Sequence, residues 1–195
     1  MARYDVYLFI HIVAAIVWLG SGLLLSVLAL RATRAGDNEG LRRIAADAAA
    51  LSNTLFIPAS MTVLAFGLLM VVDGPWGFDQ LWVVLGLAGF AVTSATGILF
   101  VKPRSEKIDA MLERDGMTDE AALEIQRLLV IGRADVVVLY LIVMDMVLKP
   151  TGGQVAVLAV MGAVLLGALA YAVLGVRALS KSASLTPAAG SPAGA

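Results

Sequence analysis

A single histidine, His11, stands in this chain of 195 residues, and it lies inside the first long apolar run. An ionisable ring at that depth needs a hydrogen-bonding neighbour, a bound metal or a water path, because polar side chains in hydrocarbon are costly. The same demand falls on Asp135 and Asp145 in a later apolar run that Lys149 closes. A carboxylate there costs about 2.5–3.5 kcal/mol on insertion scales, so Asp145 is expected to find a partner. Lys149, one helical turn away, is the nearer candidate and His11 the more distant one. Arg133 shares the run but stands about 200° from Asp135 around a helix, so the two are not expected to pair. Arg133 is expected instead to snorkel to the interface. His11, Asp135, Asp145 and Lys149 are therefore the candidate polar site.

The chain has no cysteine, which excludes disulfides, iron–sulfur clusters and thiolate zinc sites. One histidine also excludes a bis-histidine site within the chain. No nucleophile–base pair, glycine-rich phosphate loop or metal-ligand cluster is legible, so no catalytic or metal site is assigned and an enzymatic role is not favoured. Met61, Met70, Met144, Met146 and Met161 read as apolar fillers rather than copper ligands.

Hydrophobic residues make up 60% of the chain and charged ones 15%, and the mean hydropathy is +0.91. That is the composition of a membrane protein. Five apolar runs, at 6–30, 51–72, 81–101, 128–148 and 155–176, each approach the roughly 20 residues needed to cross a bilayer. They predict an all-α bundle of five transmembrane helices. The first run ends in Arg31 and Arg34 without a cleavage pattern and is read as a retained span rather than a secretory signal. Residues 1–180 are expected to form one transmembrane domain, and the Ser/Ala/Gly/Pro-rich 181–195 a disordered tail.

Local signals place the connections. Asp37 is predicted to cap a helix starting near Asn38 and running into the second span, where Pro58 should kink it. Residues 102–127 mix charges of both signs and are expected to form a solvated hairpin, with a helix stop at Gly116 and a fresh cap at Thr118; such mixing argues against a nucleic-acid surface. Gly89, Thr93 and Gly97 in the third span, and Ala159, Ala163 and Gly167 in the fifth, form small-residue faces that allow close helix approach, between copies of the chain or within one bundle. His11, Ala14, Ala15, Trp18, Gly22 and Ser26 share one face of the first helix, expected to look into the bundle.

Basic residues set the orientation. Arg31, Arg34, Arg42, Arg43, Lys102, Arg104, Lys107, Arg114, Arg127, Arg177 and Lys181 fall on one side, against Arg3 and Lys149 on the other. The positive-inside rule then puts the N-terminus outside and the C-terminus in the cytoplasm, with Tyr4, Tyr7, Trp76 and Trp82 near the outer interface.

The wording Leu8-Phe-Ile-His11-Ile-Val-Ala-Ala-Ile-Val-Trp18-Leu-Gly20, with Phe56-Ile-Pro58-Ala and Asp145-Met-Val-Leu-Lys149-Pro150, resembles a bacterial family of predicted integral membrane proteins of unknown function, over most of residues 5–150. His11 and Trp18 in the first span and Pro58 to Gly67 in the second are also distantly similar to the haem b-binding membrane protoporphyrinogen oxidases and to membrane components of bacterial copper resistance. That resemblance implies His11 as a candidate axial haem ligand. The lysine expected in the oxidases after the tryptophan opening the third span is missing, since Val83, Val84, Leu85 and Gly86 follow Trp82. The resulting expectation is a multi-pass protein of the bacterial cytoplasmic (inner) membrane acting as a non-enzymatic component. The alternatives are a haem-binding or redox protein using His11 and a small transporter or copper-handling subunit.

Overall fold

A computed structural model describes residues 3–185, and nearly all of them are helical. Helix α1 spans Arg3–Ala35 and stops at Gly36, whose φ of 65° suits a residue without Cβ. Asp37 then caps α2 (Asn38–Leu51), its carboxylate accepting from the Gly40 amide at 2.8 Å. The chain continues without a break through a π-helical turn at Ser52–Phe56 into α3 (Ile57–Asp73). After the Gly74-Pro75 loop, α4 (Leu81–Thr96) likewise passes through a π-helical turn at Gly97–Val101 into α5 (Lys102–Asp115). Gly116, with φ 70°, ends that helix, and the Thr118 hydroxyl caps α6 (Asp119–Leu148) by accepting from the Ala121 amide at 3.2 Å. Helix α7 (Val155–Leu185) follows. It carries regular structure past Lys181, where the tail was expected to begin; residues 186–195 of that expectation lie outside the described residues.

The two π-helical turns share a cause. Each is followed two residues later by a proline, Pro58 or Pro103, which has no amide proton and whose ring would strike the carbonyl four residues back. Widening the preceding turn relieves that clash. Ile57 and Lys102 reach back to the Ser52 and Gly97 carbonyls. At Pro58, where a kink was expected, the helix widens into a π-helical turn and α2 continues through it into α3.

The ends of the bundle differ. At one, Trp76 donates to the Tyr4 hydroxyl at 3.4 Å, Arg3 approaches Asp73 at 3.8 Å, and Trp76 stacks edge-on against Trp82 with centroids 5.4 Å apart. At the other, Ala32 of α1, Leu41 of α2, Ile108 of α5 and Ile125 of α6 close a small core with Ile44, Leu112 and Leu128 around it. Leu41 and Ile108 are each 1% exposed, a burial worth about 1.5–3 kcal/mol per side chain. The 102–127 segment is a helical hairpin with most of its charged residues exposed, and its other face is packed into a headpiece with α1 and α2. Ile108 and Met111 form the buried side of α5, and which helices cover them is set by the tertiary structure.

Helix α6 joins these ends, from Ile125 in the headpiece to Lys149 beside the indoles, antiparallel to α1. It packs against α1, α4 and α7. Four helical stretches are long and apolar enough to cross a membrane: Arg3–Ala35, Asn38–Asp73, Leu81–Asp115 and Val155–Lys181. Helix α6 is of comparable length but holds Arg133, Asp135 and Asp145 within its apolar part.

In the headpiece, Glu124 of α6 accepts from Lys107 of α5 at 3.1 Å and from Arg127 at 2.8 Å, and Arg127 donates onward to Ser180 of α7 at 2.9 Å. Burial alone would raise the Glu124 carboxyl, but its two cations hold it below the ordinary glutamate value of 4.5. Its folded pKa lies below its unfolded one, so its stabilisation is complete above about pH 4.5 and is lost as pH falls through the folded value. Glu124→Gln should cost about 1–3 kcal/mol in detergent and flatten the fall in melting temperature between about pH 5 and 3, measured by tryptophan fluorescence; an unchanged acid profile would contradict that role.

Candidate functional site

The polar candidates do not converge on one site. His11 lies on the inward face of α1, where Trp18 meets Phe90 edge-on at 5.9 Å and a Cβ on Gly22 would lie 3.8 Å from Val136 of α6. Its Nδ1–H donates to the Val63 carbonyl of α3 at 2.8 Å, since a carbonyl oxygen can only accept. In a neutral ring Nε2 then carries the lone pair. Gly67 makes room for this bond: a Cβ there would lie 3.2 Å from His11 Cε1 and 3.3 Å from Nδ1. The imidazole thus ties α1 to α3, the most extensively packed helix pair.

Asp145 is 1% exposed, and neither carboxylate oxygen has a hydrogen-bond partner. The expected pairing with Lys149 is absent. Lys149 adopts the left-handed conformation that ends α6, with φ 44° and ψ 59°, and its ammonium lies 3.9 Å from the centroid of Trp76 and 5.1 Å from that of Trp82. Reversal of the chain at the helix end turns the side chain toward the 74–80 loop, where a cation–π contact replaces the ion pair. Asp145 instead faces α4 at Gly86, where a Cβ would stand 3.5 Å from Oδ2 and collide with the Met146 methyl. The same close packing recurs at Gly89, opposite Ile142, and Thr93 is buried, so the small-residue face of α4 is used inside the bundle. The corresponding face of α7, at Ala159, Ala163 and Gly167, is exposed.

Asp135 forms no ion pair among the described residues, and neither does Arg133; Arg133 Nη1 reaches the Tyr171 hydroxyl of α7 at 3.4 Å. No group of three or more His, Cys, Asp and Glu side chains suited to a metal ion occurs among the described residues. The Val63 carbonyl escaped sequence reading because a main-chain acceptor has no residue signature, and only Gly67, four residues later, hinted at it. The Glu124–Lys107 ion pair was hidden for another reason: the two residues lie on different helices, whereas Arg127 is an i,i+3 neighbour of Glu124.

Long helices with Phe9, Ile16, Ile98, Leu166 and Leu174 bare on the outside, each more than 60% exposed, and with ionisable side chains between helices, define a polytopic α-helical membrane protein. The model of the family described as predicted integral membrane protein (DUF2269) matches residues 5–150. The chain belongs to that family. No curated protein and no solved structure matches it.

Because neither Asp145 oxygen is satisfied, replacing the carboxyl by an apolar group of the same branching removes a desolvation cost without breaking a bond. Asp145→Leu should leave the melting temperature in detergent unchanged or raise it, whereas Lys149→Ala should lower it by the loss of about 0.5–2 kcal/mol of cation–π attraction. A fall of many degrees in Asp145→Leu, measured beside Asp115→Ala, would show that Asp145 has a partner.

Proposed function

We propose that this protein is a five-span component of the bacterial cytoplasmic (inner) membrane, N-terminus outside and C-terminus inside, that acts without catalysing a reaction. The observation that carries the reading is how the polar side chains are used. His11 fastens α1 to α3, Lys149 fastens α6 to the aromatic loop, and Glu124 fastens α5 to α6. Each bond joins helices and leaves no converging set of reactive groups. Counting α6 as the fifth span is supported by its run from headpiece to aromatic end beside α1, and by a length of about 45 Å for its 30 residues. The orientation is supported by the basic residues gathered at the headpiece end.

The native chain has no cysteine, so single cysteines can report the topology directly. Cysteines replacing Asp79 and Gly152 should react with an impermeant maleimide on intact cells, and those replacing Asp47 and Glu113 only after lysis. The opposite pattern would invert the topology, and labelling of Gly152→Cys and Glu113→Cys from the same side would remove α6 as a span.

One observation favours a second reading, a haem b-binding protein. The Nδ1–H bond to Val63 is the kind of contact that orients a ligating histidine and leaves Nε2 available. His11, the sole histidine, would supply the one imidazole axial bond available within the chain. Bound haem would supply one-electron chemistry, and His11 would hold it. Protein purified from haem-replete cells should show no Soret band on the first reading. A band that is lost in His11→Ala and kept in Met161→Leu would replace that reading with the second.

A further inference from the structure

Between α6 and α7 lies a shallow groove of about 360 Å³, lined by Arg133, Val137, Gly167, Ala168 and Tyr171. Its polar and apolar parts are segregated. Arg133 and Tyr171 stand at the end nearer the headpiece, while Val137 on α6 and Gly167 and Ala168 on α7 continue it toward the middle of the bundle. Arg133 lies six residues beyond Arg127, about 9 Å deeper along the helix. At that depth a guanidinium needs an anion. Among the described residues it has no carboxylate partner, its Nε is buried without an acceptor, and its Nη1 donates to the Tyr171 hydroxyl. That hydroxyl accepts from Arg133 and so retains its own proton to donate. Asp135 points about 200° away around the helix.

We propose that this groove binds an anionic phospholipid of the leaflet adjoining the headpiece, with its phosphate on Arg133 and the Tyr171 hydroxyl and one acyl chain along Val137, Gly167 and Ala168. The guanidinium fork matches phosphate oxygens, and the apolar continuation matches a chain running toward the midplane. Gly167 keeps the channel open, for nothing lies within 4 Å of where its Cβ would be. A second copy of the chain is the rival occupant of this exposed small-residue face. A two-fold contact over the groove would bring two unneutralised Arg133 side chains together, which disfavours it. The site does not depend on which side of the membrane the headpiece occupies.

The full-length protein, purified in a nonionic detergent and stripped of lipid, would be titrated with phosphatidylglycerol, with phosphatidylcholine of the same chains, and with inorganic phosphate, following melting temperature and lipid adducts by native mass spectrometry. Phosphatidylglycerol should bind and raise the melting temperature by several degrees, phosphatidylcholine less, and phosphate alone not at all. Arg133→Gln should weaken phosphatidylglycerol binding about tenfold or more, as loss of a charge-assisted hydrogen bond requires. Gly167→Leu, which fills open space, should abolish adduct formation with the lipid-free melting temperature unchanged, and Tyr171→Phe gives an independent reading if Arg133→Gln does not fold. Equal response to the two lipids, protection by phosphate alone, or full binding retained in Gly167→Leu or in Tyr171→Phe together with Arg133→Gln would overturn the site. So would a wild-type dimer that Gly167→Leu dissociates without changing the lipid response.

Discussion

The long helix that carries Arg133, Asp135 and Asp145 is packed on several sides by other helices. Helix α6 brings Arg133, Asp135 and Asp145 into an apolar stretch, where each charge facing lipid would cost several kcal/mol. Helices α1, α4 and α7 pack around it, and the close approaches fall where side chains are small: Gly22 against Val136, Gly86 and Gly89 against Met146 and Ile142, and Gly175 against Val130. In a bilayer, lipid tails compete with apolar side chains on equal terms, so such close approach and interhelical polar contacts hold helices together. Phe9, Leu166 and Leu174 are left to face lipid.

The headpiece solves a different problem. Helices α2 and α5 are polar on one side and, being outside the apolar runs, bury Leu41 and Ile108 by the ordinary hydrophobic effect. They continue into α3 and from α4 through turns widened to admit Pro58 and Pro103. Glu124 and Arg127 link that headpiece to α7 through Ser180, just beyond the groove that holds Arg133 and Tyr171. The open face of α7 and the ion-paired headpiece thus meet at one membrane interface.

The polar groups carried by the apolar helices fall into two kinds. His11 and Lys149 are engaged, one by a carbonyl and the other by two indoles, and they join helices. Asp145 and Arg133 are not neutralised by an opposite charge. A group of the first kind has a sufficient structural account. One of the second kind carries a desolvation cost without a matching contact; an open groove adjoins Arg133, whereas Asp145 is closed in by α4.

Sequence alone determined what depends on local order along the chain. The apolar runs set the membrane environment, Asp37 and Thr118 set two helix starts, and Gly36 and Gly116 set two stops, because capping and left-handed backbone need only near neighbours. The inward face of α1 followed from periodicity. Tertiary structure decided every pairing. Lys149 belongs to Trp76 and Trp82 rather than Asp145, His11 to the Val63 carbonyl, and Lys107 to Glu124, and 102–115 is a continuation of α4 packed on α2 and α6. Spacing within one helix tells which residues share a face, but which helix lies opposite is a property of the whole bundle, and a main-chain acceptor leaves no mark on residue type at all.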